Sequence, residues 1–496
     1  MQPLLCALCA LCVKPLLTPK PRKHPRGGGA SARPGHPRLS RRPNQQISHT
    51  GQVAQTPQSA TYQSWGRYPK ATQTIRPLFW PGDSLFVDSP NGTLLCQGLG
   101  RSYGDACLND GGALLIARGL DRFVAFDETT GVLRCEAGVS LAEILRLFVP
   151  RGWFLPVLPG TSFVTIGGAI ANDIHGKNHH QAGSFGNYVR RLLLRRSDGQ
   201  TLLCSEDNNP EMFRATIGGL GLTGMIEWAE VALKPVANAW IDVETIRYDG
   251  LEDFLRLSAE SESRFEYLVA WVDSSASGRS LGRGILARGN HNTDGRMRSE
   301  IPRSGAPLEM PFDLPSFVLN RFTIRMLNFA YYRKQARRFQ SAVVPYRPFF
   351  SPLDGIGQWN RMYGARGFLQ WQCLVPAAEG KQAFPEILAT VVRSGLASFV
   401  SVMKTMGAIP SRGVLSFPGP GITLALDFPN VPDSFQLLAR LDDLVAEAGG
   451  RIYLAKDARL SAAHFRRFYP QWPTLERFRD PLFSSSLWRR LTGEPA

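Results

Sequence analysis

Residues 159–189, PGTSFVTIGGAIANDIHGKNHHQAGSFGNYV, constrain the fold more than any other part of the chain. Glycines stand at Gly160, Gly167, Gly168, Gly176, Gly183 and Gly186, and three of the eight histidines (His175, His179, His180) fall within six residues. Glycine lets the backbone take positive φ, or press against a ligand with no Cβ in the way. At this density, among polar side chains and short apolar runs, it suits backbone wrapped around a large polar ligand. Taken alone, the stretch also suits a loop-rich structural segment.

Two further glycine segments narrow the choice. Gly98-Leu99-Gly100-Arg101-Ser102-Tyr103-Gly104 follows a strand-like run, Leu94–Gln97. Its GxGxxxG spacing is one residue longer than a dinucleotide fingerprint, and no amphipathic helix opens behind it, which excludes a Rossmann site. Successive N–H groups there can form an anion-binding nest, although an ordinary turn reads the same way. Residues 218–226, GGLGLTGMI, then place four glycines within seven residues at the entrance to a strand. Three such segments exceed what turns require. A cofactor with a pyrophosphate, a ring system and an adenine calls for approach from several loops, and FAD is such a molecule.

Charge excludes a partner class. The net charge of +16 looks like a nucleic-acid signal, yet no acid precedes Asp83 and residues 1–82 carry twelve Lys and Arg. Subtracting those twelve from the 57 leaves 45 basic against 41 acidic residues downstream, or +4. A nucleic-acid binder carries its basic stripe on the folded domain. Residues 1–61 read as a disordered basic leader or a misassigned start. No run is apolar enough to span a bilayer, so the chain is expected to be cytoplasmic or peripherally membrane-associated. Five scattered cysteines fit reduced thiols, and the CxxCxxC run of Cys6, Cys9 and Cys12 has no companion. No carboxylate or cysteine completes a metal-ligand set around the histidines, so no metal is expected.

At 496 residues the chain is long enough for two or more domains. Strand-like runs lie at Leu94–Gln97, 114–117, 192–195 and 224–233. Ser140 and Glu143 form a capping box ahead of a helix whose Leu141, Ile144, Leu145 and Phe148 share a face. From Ile241 short strands and helices alternate, interrupted by a polar, aperiodic segment over 290–315 that reads as a mobile loop. Phe368–Val375 alternates, placing Gln370 and Gln372 on one face and Leu369, Trp371 and Cys373 on the other. A strand over 422–428, an amphipathic helix over 433–448 and a strand over 452–456 follow.

GLGRSYGD, the 159–189 stretch and GGLGLTG closely resemble the FAD domain of the vanillyl-alcohol-oxidase/p-cresol-methylhydroxylase (PCMH-type) flavoproteins. Within that superfamily the chain looks most like the decaprenylphosphoryl-β-D-ribose 2-oxidases. The likeness continues through QWNRMYGARGFLQWQ, VMKTMG, LSFPGPGITLALDFP and GGRIYLAKDAR, over roughly residues 62–491. It implies an α+β fold: a two-lobed FAD-binding domain over 62–235, a substrate or cap domain over 236–440 with a mainly antiparallel sheet flanked by helices, and a segment over 441–496 returning to the flavin.

Matched motif by motif, the resemblance implies that Gly98, Leu99, Gly100, Arg101, Ser102, Tyr103 and Gly104 cradle the pyrophosphate. Gly160, Thr165, Gly167, Gly168, Asn172 and His175 would lie along the cofactor, Ile226 near the adenine, and Tyr453 against the flavin. Some relatives bind flavin covalently through a histidine in the first glycine loop. Ser102 and Tyr103 stand here instead, which implies non-covalent FAD. Lys456, the lysine of the AKD motif, is the implied catalytic cation, stabilising negative charge on the ring; His175 is a candidate base. Tyr363, Gln370, Gln372 and Lys404 resemble a substrate-pocket lining, although the two glutamines also suit an edge strand's solvated face.

The implied activity is oxidation of a sugar CH–OH, foremost the 2-hydroxyl of a polyprenylphosphoryl-β-D-ribose in the making of a cell-wall arabinan precursor. The partners implied are a lipid-linked or free sugar, an NAD(P)H-dependent keto-sugar reductase, and a quinone or oxygen as electron acceptor. An aldonolactone or alditol oxidase and a flavin-binding scaffold are the alternatives. Ala425 replaces a pocket cysteine of some relatives.

Overall fold

The computed structural model describes residues 58–295, 308–315 and 317–494. Nearly all of the basic leader (1–57) and the centre of the polar 290–315 segment lie outside them. At the edges of that segment the chain is regular: Gly284–His291 is a strand, and Leu308–Glu309 pairs in parallel with Ile356–Gly357.

Three sheets organise the chain. The first has the order Gln58–Gln63, Lys70–Pro77, Ala113–Ile116, Leu94–Gln97, antiparallel only in its first pair. The second is antiparallel: Phe123–Asp127, Val132–Glu136, Met225–Ala232, Val189–Arg195, Thr201–Ser205. The Ser140–Glu143 capping box forms as expected, and Leu141, Ile144, Leu145 and Phe148 of helix Leu141–Phe148 are buried in this lobe's core.

The third sheet has eight antiparallel strands, in the order Phe339–Pro345, Trp240–Tyr248, Gly284–His291, Tyr267–Val272, Ser401–Met406, Gly421–Pro429, Phe368–Val375, Arg451–Ile452. Alternation gives it two unlike faces. Leu369, Trp371, Cys373, Leu424, Leu426 and Phe428 point into a core shared with helices Ala377–Ser394 and Pro432–Glu447. Gln370, Gln372 and Ala425 point the other way, into a cavity. Phe368–Val375 is an interior strand, so its glutamines are not on a solvated edge.

The expected strand over 452–456 is shorter. Arg451–Ile452 completes the sheet, Tyr453 N–H donates to the Gln372 carbonyl (2.9 Å), and Leu454–Lys456 turns into a 3₁₀ helix. The chain turns there because the Ala455 carbonyl accepts instead from Tyr103 N–H, at 3.1 Å.

Candidate active site

A cavity of ≈ 640 Å³ lies between the glycine loops and the open face of the eight-stranded sheet. It falls within the usual range for small-molecule and cofactor sites.

The first glycine loop leaves strand Leu94–Gln97, and Gln97 Nε2 donates to the Cys107 carbonyl (2.7 Å), closing the loop's two ends on each other. Gly98 is obligatory because a Cβ there would stand 2.3 Å from Thr165 Oγ1; the first and second glycine segments press together at this point. At Gly104 a Cβ would stand 1.8 Å from the Asp457 carbonyl oxygen. Gly104 does not line the cavity; it admits the C-terminal segment rather than a pyrophosphate. Gly98 through Tyr103 all line it. The Arg101 guanidinium lies 3.9 Å from the Trp65 ring centre, and its buried Nε has no hydrogen-bond partner.

In the second segment Thr165 caps helix Ile166–Ala171, its hydroxyl accepting from Gly168 N–H at 3.2 Å. Asn172 closes that helix through Nδ2 to the Gly168 carbonyl, and its own carbonyl accepts from the Tyr453 hydroxyl at 3.0 Å. The buried Asp173 carboxylate accepts from Gly186 N–H and from the Ser416 hydroxyl, tying the segment to a distant loop. His175 meets Gln372 Nε2 through its own Nε2 at 3.0 Å. With the amide donating, the ring is the Nδ1–H tautomer, and that buried Nδ1 has no partner. Burial first, then Lys404, His179 and Lys456, push its pKa well below the usual value, so the imidazole is neutral. His179 and His180 are structural: His179 Nδ1 accepts from Gly407 N–H, and His180 Nε2 pairs with the Phe265 carbonyl.

The third segment contributes Leu220, Gly221, Gly224 and Ile226 to the wall. The opposite wall carries Gln370, Gln372, Lys404 and Ala425, with Ala425 held in register between Gln372 and Val402. Tyr363 is not on it. Its ring stacks on Phe368 (4.3 Å) and Phe399 (5.7 Å) behind the lining, with its hydroxyl buried.

Lys456 Nζ lies 3.8 Å from the Tyr103 ring centre, a cation–π contact. Behind it, Arg490 reaches both Asp105 oxygens (2.8 Å each) and Asp457 Oδ2 (2.8 Å), clamping the first glycine loop to the AKD segment.

Sequence reasoning passed over two charged residues at this site. Lys177 Nζ donates to the Phe349 and Phe350 carbonyls. Asp427, buried and accepting from Gln370 Nε2, has its pKa raised to about 7 by burial. A signal existed for Asp427: one acid inside the apolar run ITLALDF is the kind of residue a strand buries only with a partner.

The lysines are short of counter-charge. Lys456 is lowered to about 7, Lys404 to about 8 and Lys177 to about 7, first by burial; Lys404 contributes to lowering the other two, and Asp427 partly offsets the effect on Lys456. A dianionic pyrophosphate or a phosphate ester supplies what such a cavity lacks. Gly160, whose Cβ would meet no protein atom within 4 Å, leaves its wall open to a ligand. Unpartnered Arg101 Nε and His175 Nδ1 offer donors. The lining therefore fits FAD.

A family model described as an FAD binding domain matches residues 86–205. The chain is 37% identical over 411 residues to the decaprenylphosphoryl-beta-D-ribose oxidase of Mycolicibacterium smegmatis, covering 80% of this chain and 89% of that relative. It is 32% identical over 373 residues to an uncharacterised protein of Streptomyces coelicolor, covering all of it. Similarity to the D-arabinono-1,4-lactone oxidase of Eremothecium gossypii is 28% over 174 residues, about a third of each chain. Fold and cavity together define a PCMH-type flavoprotein, an FAD-linked oxidoreductase. The chain belongs to the decaprenylphosphoryl-β-D-ribose oxidase family.

Proposed function

We propose that the enzyme oxidises the 2-hydroxyl of a polyprenylphosphoryl-β-D-ribose to the 2-keto sugar. The observation that carries this is that Lys456, against the first glycine loop, and Lys404, Gln370 and Gln372 on the opposite wall line one cavity. Cations answer the phosphodiester, and amides read sugar hydroxyls. The Mycolicibacterium relative's name supports the same substrate.

In this reading residues 98–103, with Gly160, Thr165, Gly167, Gly168, Asn172, Ile226 and Tyr453, hold the cofactor non-covalently. FAD, when bound, supplies the two-electron acceptor for the carbinol C–H. Lys456 places a positive charge, steadied by the Tyr103 face, where negative charge develops. Gln372 holds the neutral His175 ring in one tautomer, leaving its buried, unpartnered Nδ1 as an N–H donor rather than a base. Lys456 acts here as the ammonium, which holds charge and takes up no proton, so the acceptor of the hydroxyl proton is a group other than Lys456 and His175. A keto sugar as product calls for an NAD(P)H-dependent reductase to complete epimerisation to the arabinose, and turnover calls for a quinone or oxygen as electron acceptor. No described helix is long and apolar enough to cross a membrane, and we place the enzyme in the cytoplasm or peripherally on a membrane.

Anaerobic flavin bleaching tests the reading. Polyprenylphosphoryl ribose bleaches the holoenzyme and free aldonolactones do not; the reverse result overturns it.

A further inference from the structure

We propose that the outer face of helix Arg321–Lys334 docks this enzyme on an anionic lipid surface. Phe322, Met326 and Phe329, spaced i, i+4 and i+7, form one stripe and are 70%, 55% and 52% exposed. Side chains at those spacings share a helix face. Phe317, just before the helix, is also exposed. The opposite side is bolted down. Asn328 Nδ2 donates to Asp273 Oδ1 and to the Ser398 carbonyl (3.1 Å each), and the Tyr332 hydroxyl donates to Asp249 at 2.6 Å. The stripe is therefore a fixed surface of the folded domain.

Charge selects the occupant. Residues 314–353 contain seven Lys and Arg and no Asp or Glu, whereas the whole chain from residue 83 carries only +4. Arg325 and Arg333 are exposed on the apolar side of the helix, and the Arg333 guanidinium lies 5.4 Å from the Phe329 ring. Apolar side chains interleaved with cations, on a helix lying flat against its domain, match the boundary between acyl chains and anionic headgroups. A second copy of the chain fits poorly, since two such segments would repel each other. A third side of the same helix, through Leu327 and Tyr331, lines the catalytic cavity, so docking here sets the cavity wall at the membrane. The docking stands on the helix alone; its use in taking up a lipid-linked sugar rests on the function proposed above.

Co-sedimentation of the holoenzyme with vesicles tests this without any substrate. Vesicles of phosphatidylcholine and phosphatidylglycerol in equal parts should retain the enzyme, and phosphatidylcholine alone should retain it at least about tenfold less. Two double variants, Phe322→Ser with Phe329→Ser and Arg325→Glu with Arg333→Glu, should each lower anionic-vesicle binding about tenfold or more. Both should keep the FAD absorbance and melting temperature of the parent. Equal retention on both vesicle types, or variants that bind like the parent, overturns the proposal. So does a dimer in sedimentation velocity that the serine variant dissolves while the parent ignores vesicles. Loss of ribose-lipid oxidation with vesicle binding intact would instead count against the substrate reading alone.

Discussion

Lys456 and Tyr103 are joined twice: the lysine Nζ lies 3.8 Å from the tyrosine ring centre, and Tyr103 N–H donates to the carbonyl of Ala455 next to that lysine. A glycine loop near the start of the described residues thus fixes a cation delivered from near their far end. The cation's charge state follows from burial, which brings its pKa to about 7.

Flavin reduction should therefore fall as pH rises. The ammonium is present below its pKa and lost above it, and negative charge on a bound cofactor moves that limb upward from about 7. Lys456→Met should slow reduction on the order of 10²-fold and remove the limb. Lys456→Arg should flatten the limb with less loss, because arginine keeps its charge. Stopped-flow reduction across pH reads all three; an unchanged limb in the methionine variant would refute the assignment.

His175 should contribute no limb at all. Its neutral state is set by burial far from the working range. His175→Ala should lower FAD retention or turnover while leaving the pH profile's shape intact, and a vanished limb would show that the ring titrates.

The glycines separate packing from cradling. Gly104→Ala puts a methyl into the Asp457 carbonyl and should destabilise the fold by several kcal/mol or prevent expression. Gly160→Leu meets open space, so it should fold with a near-parental melting temperature yet purify with little FAD. Flavin content per protein distinguishes the two.

Arg490→Ala leaves Asp105 and Asp457 buried without their shared partner. A loss of about 3–5 kcal/mol is expected, measured by chemical denaturation. Arg490→Lys should recover only part, since one ammonium cannot reproduce the fork. Because the clamp positions Lys456, the lysine variant should also shift the pH limb of flavin reduction, which a purely structural role would not do.

Thiol reagents should spare the enzyme's cavity. Cys96 and Cys107 line it, but burial pushes both thiols up to about 12, far from the reactive thiolate. Ala425→Cys should create a site that iodoacetamide labels with loss of activity and that substrate protects; inactivation of the parent at the same rate would contradict this.

What the sequence disclosed was what local pattern encodes. The capping box at Ser140 and the two-residue period of Gln370 and Gln372 carry over directly, because neither depends on a distant partner. The motif resemblance supplied the cofactor. Tyr363 went astray because being polar and aromatic does not say which side of a wall a ring lies on; its stacking on Phe368 and Phe399 decides that. Gly104 misled for a similar reason: a glycine that admits backbone reads like one that admits a ligand. Lys177 stayed hidden because its partners, the Phe349 and Phe350 carbonyls, come from a distant element, whereas Asp427 was legible as a lone acid in an apolar strand and was passed over.

The Arg490 clamp has a bearing on how the protein is made. Synthesis runs from the N-terminus, so the glycine loops leave the ribosome long before Asp457 and Arg490. Until they arrive, Gly104 has no carbonyl to pack against and Asp105 has no guanidinium. Closing of this clamp is therefore a late event in the life of the nascent chain, and a polypeptide truncated short of Lys456 has its glycine loops but neither the carbonyl nor the guanidinium that close them.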